Sequence, residues 1–382
     1  MANIFLMPAI VHIGDDALNE AIQNMSGFGN KALIVSDDMM LKLGNIDKLV
    51  RKLDEFNIKS TVFANINSEP TIEMVNEGLS EYRNNGCDFL IGFGGGSPID
   101  AMKAIVMSYV SDKPLPEMIG VDFACDRPKL VAIPTTAGTG SEATQFTIIT
   151  DTRSNIKMLL KGRSLIPDMA VIDPQFSLTL PPKVTAATGI DALCHALEAY
   201  TSKKAQPLTD VLALSAIKRI FDNIQTCYEH PNDQQARLMM ALAAFEAGCA
   251  FNNSSVTLIH GLSRPIGANF HIAHGLSNAV LLRASLNYIK DSINDRLAAI
   301  AYYCHLSDEK DELLAANDLL DKIDCLLKSL NVPSLKELVD KEIYLDLLDK
   351  MSWDALSSGS PANSRIDLSK QDLINIYLES IK

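Results

Sequence analysis

The sequence predicts an α/β domain followed by an all-α domain, and three observations carry that prediction. Short apolar runs alternate with amphipathic stretches up to about residue 181, which is the pattern of a parallel sheet with crossover helices. Two loops rich in glycine and hydroxyl side chains, residues 94–97 and 134–142, each follow a strand-like run. From Lys183 onward the apolar spacing is helical nearly throughout. A chain of 382 residues can bury two separate cores, and the Pro181-Pro182 pair sets the boundary, giving domains over 1–181 and 182–382.

The elements follow in order. Residues 4–13 read as an extended piece interrupted by Pro8, before a helix over 16–25. The run 31–36 has the length and continuous apolar character of a buried parallel strand, and it ends in Asp37 and Asp38. A helix over 41–56, a strand over 60–63 and a helix over 71–84, opened by Pro70, keep the alternation going. Residues 87–93 form the next strand, 94–97 a glycine turn, and Pro98 starts a helix that runs to about 110. A strand over 129–133 leads into the second loop. A hairpin-like pair over 146–150 and 155–160 and a strand over 169–172 complete the first domain. The second is read as helices over 183–200, 207–228, 233–251, 255–263, 275–289, 294–305, 311–330 and 370–381. No internal repeat or low-complexity tract is visible.

Glycines let a backbone approach a phosphate closely, and the free N–H groups at the start of the following helix favour an anion there. Two such loops at the ends of neighbouring strands are where an α/β sheet is expected to hold a ligand with phosphates. The alternative is that both are tight turns, rich in Gly and Thr for conformational reasons.

A second kind of chemistry is concentrated between Gly189 and Gly275. Asp191 and His195 stand four apart, so on a helix they share one face. His260 and His274 then need only a second helix and a turn to meet them. One carboxylate and three imidazoles make a mixed O/N set suited to a first-row divalent ion, Fe(II) or Zn(II), and the spacing does not choose between the two. A satisfied core histidine is the alternative for any one of these residues. Against it, His195, His260, His271 and His274 are four of the chain's seven histidines.

Composition narrows the function classes. A net charge of −13 without a basic run argues against nucleic acid as a partner. Seven cysteines, an odd number with no C-x-x-C, fit reduced thiols better than a disulfide framework. The first residues lack the charged and apolar regions of a signal peptide, and no apolar run reaches membrane-spanning length. A cytoplasmic protein without membrane attachment is the expectation.

The segments 94–100 (Gly-Gly-Gly-Ser-Pro-Ile-Asp), 134–142 (Pro-Thr-Thr-Ala-Gly-Thr-Gly-Ser-Glu), 189–202 and 260–275 resemble, in the same order, the motifs of the iron-containing (group III) alcohol dehydrogenases. The resemblance extends from about Phe5 to the final helix. It implies a Rossmann-like N-terminal domain and a helical metal-binding domain in the dehydroquinate synthase-like fold, with chemistry where the two meet. By the same resemblance, the metal ligands fall on Asp191, His195, His260 and His274. Pyrophosphate contacts fall on Gly94, Gly95, Gly96, Ser97 and Asp100 in the first loop, and on Thr135, Thr136, Thr139, Ser141 and Thr144 in the second. Lys157 matches a lysine near the cofactor. Asp37 matches the acidic residue that meets the adenosine ribose, where a carboxylate favours NAD over NADP; a helix N-cap is the other use for an Asp there.

The implied activity is hydride transfer between NAD and a small primary alcohol or aldehyde, with Fe(II), or Zn(II) in its place, as Lewis acid. Phe146 and Phe251 are candidates for an apolar lining. One departure stands out, because many members carry a further histidine one turn after the ligand matching His260 and this chain has Arg264 there. Arginine cannot relay a proton near neutral pH, so His271 is the candidate relay, and Arg264 a candidate grip for an anionic substrate group. A structural salt bridge or a contact to a cofactor phosphate is the alternative for Arg264. A homodimer paired through residues 4–13 is the expected assembly, or a multiple of such dimers. The competing reading is a metal- and NAD-binding lyase of the dehydroquinate synthase type, which needs more basic residues than this chain offers around the site. Glycerol dehydrogenase usually has a different ligand set, and a filament-forming role lacks the fused aldehyde dehydrogenase half.

Overall fold

The structure, a computed structural model, describes residues 3–154 and 156–382. Met1, Ala2 and Asn155, the last expected to open the second arm of the hairpin, lie outside the described residues. The chain forms two compact units: Leu6–Thr179, and Leu180–Lys382 together with the described residues up to Phe5.

The first unit is built on six parallel strands. In chain order its elements are β1 (Ile10–Ile13), α1 (Ala17–Met25), β2 (Lys31–Val35), α2 (Asp38–Lys42), α3 (Asn45–Glu55), β3 (Lys59–Phe63), α4 (Ile72–Asn84), β4 (Phe89–Gly94), α5 (Gly96–Val110), β5 (Leu130–Pro134), the antiparallel hairpin β6 (Phe146–Asp151) and β7 (Ile156–Lys161), and β8 (Met169–Ile172). The strand order is β1-β8-β5-β4-β2-β3. Along β2, Ala32 and Ile34 pack on one face with α1 and α3, whereas Leu33 and Val35 pack on the other with α4 and α5, as the two-residue period of a strand requires. Both faces are covered, which is why these strands read as unbroken apolar runs.

The chain leaves β2 toward β3 on one side and returns to β4 on the other, so the carboxyl ends of β2 and β4 flank a switch point, the usual ligand position in such sheets. Pairing of β4 with β5 sets Gly94 opposite Pro134, so the two loops start side by side. Gly94 has φ of 153°, and a Cβ there would lie 2.7 Å from the Pro98 ring, so the turn requires glycine.

Two boundaries differ from expectation. The helix expected over 41–56 is two helices, parted at Gly44, whose φ of 71° ends the first. The helix expected from Pro98 already begins at Gly96, which places Gly96 and Ser97 in its first turn.

The second unit is helical throughout: α6 (Pro182–Thr201), α7 (Pro207–Glu229), α8 (Gln234–Asn253), α9 (Leu258–Phe270), α10 (His274–Ile289), α11 (Asn294–Tyr303), α12 (Glu312–Ser329), the short α13 (Leu335–Leu338) and α14 (Lys341–Asp346), α15 (Leu348–Ser357) and α16 (Lys370–Ser380). The helix expected over 255–263 instead spans Leu258–Phe270, running through Pro265. A proline inside a helix costs about 3 kcal/mol. Burial of Leu258, Ile259, Leu262 and Ile266 offsets that, at about 1.5–3 kcal/mol for each apolar side chain. Among the described residues, no helix is long and apolar enough to cross a membrane.

Candidate active site

In the helical unit, α6 carries Asp191, His195 and Glu198 at spacings of four and three, so the three share the face turned toward α9 and α10. Asp191, His195 and His260 are all buried, and each offers a ligand atom within 4.8 Å of the others. His274, the first residue of α10, comes to the same place, with Nε2 3.7 Å from Asp191 Oδ1 and a half-exposed side chain. This approach depends on Gly275, because a Cβ there would lie 2.3 Å from the Ala187 carbonyl oxygen on α6. The His195 ring stacks on Phe251 at 4.3 Å between centroids and on His260 at 4.4 Å.

Two residues of this cluster had no role in the sequence expectations. Glu198 is buried, accepts hydrogen bonds from the Ile259 N–H at 2.6 Å and the Thr257 hydroxyl at 2.9 Å, and takes the Nδ1 side of the His260 ring. That partner turns His260 Nε2 toward Asp191, 3.6 Å away. Asn278, one turn after His274, donates from Nδ2 to Asp191 Oδ1 at 2.7 Å and lies 3.2 Å from His260 Nε2 and 3.4 Å from His274 Nε2. Among the described residues its own buried Oδ1 has no partner. The helical period held the signal for both: Glu198 continues the Asp191–His195 face, and Asn278 continues the face of His274.

The electrostatics are those of a cation site. Burial alone would raise the Asp191 carboxyl, but His195, His274 and His260 outweigh it and hold the group well below the usual carboxylate range. Burial pushes His195 down to about 3, leaving a neutral imidazole. Burial would lower His260 too, yet Glu198 beside it raises it to about 9. In the metal-free chain His260 is therefore protonated, with Nε2 directed at Asp191; a divalent ion that displaced this proton would find one carboxylate oxygen and three imidazole nitrogens, a set that fits it.

The other candidates divide. His271 caps the end of α9 in a left-handed conformation, φ 55°, with an exposed side chain, and the structure does not bring its ring to the cluster. Arg264, one turn beyond His260, is partly buried, and its guanidinium donates to Ser360 Oγ at 2.9 Å. Among the described residues it pairs with no carboxylate at salt-bridge distance, so the expected alternative of a structural ion pair is not what the structure contains.

In the α/β unit, Asp37 caps α2, accepting from the Met40 N–H at 2.9 Å, and its Oδ2 lies 3.0 Å from where a Cβ on Gly94 would stand. The cap alternative thus holds, without moving the carboxylate from the switch point. Helix α5 starts after Gly95 with no capping side chain, which leaves its first N–H groups available. Thr136 stands against Gly95 and Thr139 against Gly96, and the Thr135 N–H joins the loops through the Gly94 carbonyl. Of the other expected pyrophosphate contacts, Ser141 and Thr144 are buried and Asp100 is partly buried. The Ser141 hydroxyl donates to Asp100, and both Ser141 and Thr144 accept from the buried Lys103 ammonium. Lys157 reaches Glu69 at 2.6 Å in an exposed ion pair.

Comparison with known proteins adds a shared ancestry to this geometry. Residues 8–174 match the family model for iron-containing alcohol dehydrogenase, and 185–381 match the model for the C-terminal part of the Fe-containing alcohol dehydrogenase family. Alcohol dehydrogenase 4 of Schizosaccharomyces pombe is 37% identical over 365 residues, covering 94% of this chain and 85% of the relative. The crystal structure of a 1,3-propanediol oxidoreductase superposes with a TM-score of 0.96 at 30% identity, covering 100% of both chains. Sulfoacetaldehyde reductase from Bifidobacterium kashiwanohense, solved in complex with NAD+, superposes with a TM-score of 0.89 at 26% identity, covering 100% of this chain and 99% of that one.

Proposed function

Because the chain belongs to the iron-containing alcohol dehydrogenase family, a group of oxidoreductases acting on alcohols, we propose that it transfers hydride between NAD and a small primary alcohol or aldehyde at a centre holding Fe(II). The observation that carries the reading is the convergence of Asp191, His195 and His260 on one point, with His274 Nε2 3.7 Å from Asp191. Zn(II) is the alternative ion, since imidazole and carboxylate ligands suit both. The lyase alternative is not favoured.

The chain's own residues would divide the work as follows. Asp191 and the three imidazoles hold the ion, Glu198 keeps the His260 proton on Nδ1, and Phe251 shields one face of His195 from water. An ion bound there supplies Lewis acidity toward an alcohol or carbonyl oxygen. The glycine turn, the uncapped start of α5, Thr136 and Thr139 receive the phosphates of the dinucleotide. Asp37 accepts from the ribose 2′-OH and repels a 2′-phosphate, which favours NAD over NADP. Arg264, with donors to spare beyond Ser360, receives a carboxylate, sulfonate or phosphonate on the substrate, so its preferred substrates carry an acid group.

We further propose a cytoplasmic homodimer. Strand β1 is an edge of the sheet, with Ile4, Met7 and Ile13 exposed along the same stretch, and all seven cysteines are free.

The test is activity on defined metals. Protein stripped and reloaded separately with Fe(II) and Zn(II) is assayed by NADH absorbance against short aldehydes, diols and hydroxy acids, with metal content measured in parallel. Metal-dependent oxidation of NADH by aldehydes, or reduction of NAD+ by the diols and hydroxy acids, is expected; loaded protein inert toward the whole panel with both the NAD and the NADP couples would sink the reading.

A further inference from the structure

Among the described residues Lys103 is the only buried lysine, and nothing so far gives it a part in function. It lies on α5, seven residues after Gly96, with its side chain entirely inside the α/β unit. Burying an ammonium is costly unless its donors are satisfied. Here it donates to the carbonyl oxygens of Ser141 (2.6 Å), Thr144 (2.9 Å) and Phe146 (2.9 Å), and lies 3.1 Å from Ser141 Oγ and 3.2 Å from Thr144 Oγ1. Three carbonyls of one short segment thus turn toward a single point. Without a cation between them they would repel one another, so the path of that segment depends on the ammonium.

Asp100, one turn earlier on α5, completes the hold from the other side. Its carboxylate takes the Ser141 hydroxyl and the Ile148 N–H (2.9 Å), and its carbonyl takes the Thr147 hydroxyl (2.8 Å). Together Lys103 and Asp100 clamp residues 141–148 to the same helix whose first turn faces the glycine loop. Immediately before the clamped segment, Thr136 and Thr139 stand against Gly95 and Gly96. Fixing 141–148 therefore fixes which hydroxyls meet the glycine turn.

We infer that Lys103 is a positioning residue for the phosphates of the dinucleotide, acting through the 141–146 segment it holds against α5 and not by contact. An ammonium has three N–H groups, and those of Lys103 are taken up inside the unit by the Ser141, Thr144 and Phe146 carbonyls, so none is left for a phosphate seated at the helix start. The inference rests on the proposed cofactor role of these loops, and the two can fail separately.

The experiment uses full-length, metal-loaded protein as native chain, Lys103→Met, and the double variant Ser141→Ala/Thr144→Val, which keeps the lysine but removes both hydroxyl acceptors. Affinity for NADH is read by fluorescence titration, with ADP-ribose and adenosine as competitors, and kcat and KM for NADH are measured beside it. Lys103→Met is expected to weaken NADH and ADP-ribose at least tenfold and to raise KM for NADH accordingly. Adenosine, which has no phosphate, should move less than twofold, and kcat at saturating NADH should move much less than KM. The double variant should show the same selectivity at three- to tenfold, and it decides the matter if Lys103→Met does not fold. NADH affinity within twofold of native in a folded variant overturns the positioning role, as does an equal loss of adenosine and ADP-ribose. Native chain that binds neither NADH nor NADPH overturns the cofactor reading itself.

Discussion

Replacing Glu198 by Gln isolates one feature of the metal cluster. The amide oxygen can still accept from the Ile259 N–H and the Thr257 hydroxyl, so the local backbone keeps its partners. What changes is the group facing His260 Nδ1, which becomes an N–H donor. A neutral His260 must then carry its proton on Nε2, the nitrogen directed at Asp191 and required bare for coordination. Alternatively the amide turns round and strands the Ile259 N–H. Either outcome forfeits a charge-assisted hydrogen bond worth about 1.5–3 kcal/mol. At about 1.4 kcal/mol per decade, that predicts metal affinity lower by about 10- to 100-fold, the usual scale for loss of such an orienting carboxylate. The assay is competition for the ion against a chelator of known affinity, with thermal unfolding of the metal-free protein as a control for folding. Affinity within twofold of native, in a variant whose metal-free Tm is unchanged, would refute the claim that Glu198 sets the His260 tautomer.

Three further outcomes are expected. Arg264→Ala should lower kcat/KM for an acid-bearing aldehyde at least tenfold more than for its uncharged analogue, and an equal effect on both rejects the anion grip. Asp37→Ser keeps a capping oxygen for the Met40 N–H but deletes the charge, so the NADPH/NADH ratio of kcat/KM should rise at least tenfold; a fixed ratio assigns Asp37 to capping alone. Burial raises the Glu142 carboxyl from 4.5 to about 7, so the folded chain holds a proton there that the unfolded chain has released. Its stabilising contribution is therefore full below about pH 4.5 and is lost as pH rises through about 7, a change of about 3 kcal/mol. Glu142→Gln removes this dependence and should gain Tm over native at pH 8 relative to the difference at pH 5; the same difference at both pH values contradicts it.

Much of the fold was legible because its signals are local. Continuous apolar runs marked strands covered on both faces, and the Pro181-Pro182 pair lies within two residues of the unit boundary at Leu180. What misled was punctuation overridden by packing. A proline ordinarily breaks a helix, but the buried flank of α9 carries it through Pro265, while Gly44 parts a stretch that reads as one helix. In the metal cluster, the four converging side chains were legible from spacing and motif. Among the cofactor candidates, residue type did not distinguish hydroxyls that face the glycine turn, Thr136 and Thr139, from those spent inside, Ser141 and Thr144. That division is made by Lys103, whose partners lie about 40 residues away in sequence.

The same reasoning explains why the supporting residues escaped notice while the candidate ligands did not. A ligand set advertises itself by chemistry, since imidazoles are few in this chain and five of the seven fall between Gly189 and Gly275. Glu198 and Lys103 belong to common residue types, and their meaning lies only in where burial places them. Both nonetheless sit on a face already marked, Glu198 three residues beyond His195 and Lys103 three beyond Asp100. A charged residue continuing the face of a candidate site residue, on a helix otherwise apolar along that face, must be buried with it, and a buried charge requires a partner. In this chain those partners are the His260 ring in one case and the loop carbonyls in the other. The helical period thus carries a second layer of site information once the first residue on the face is known.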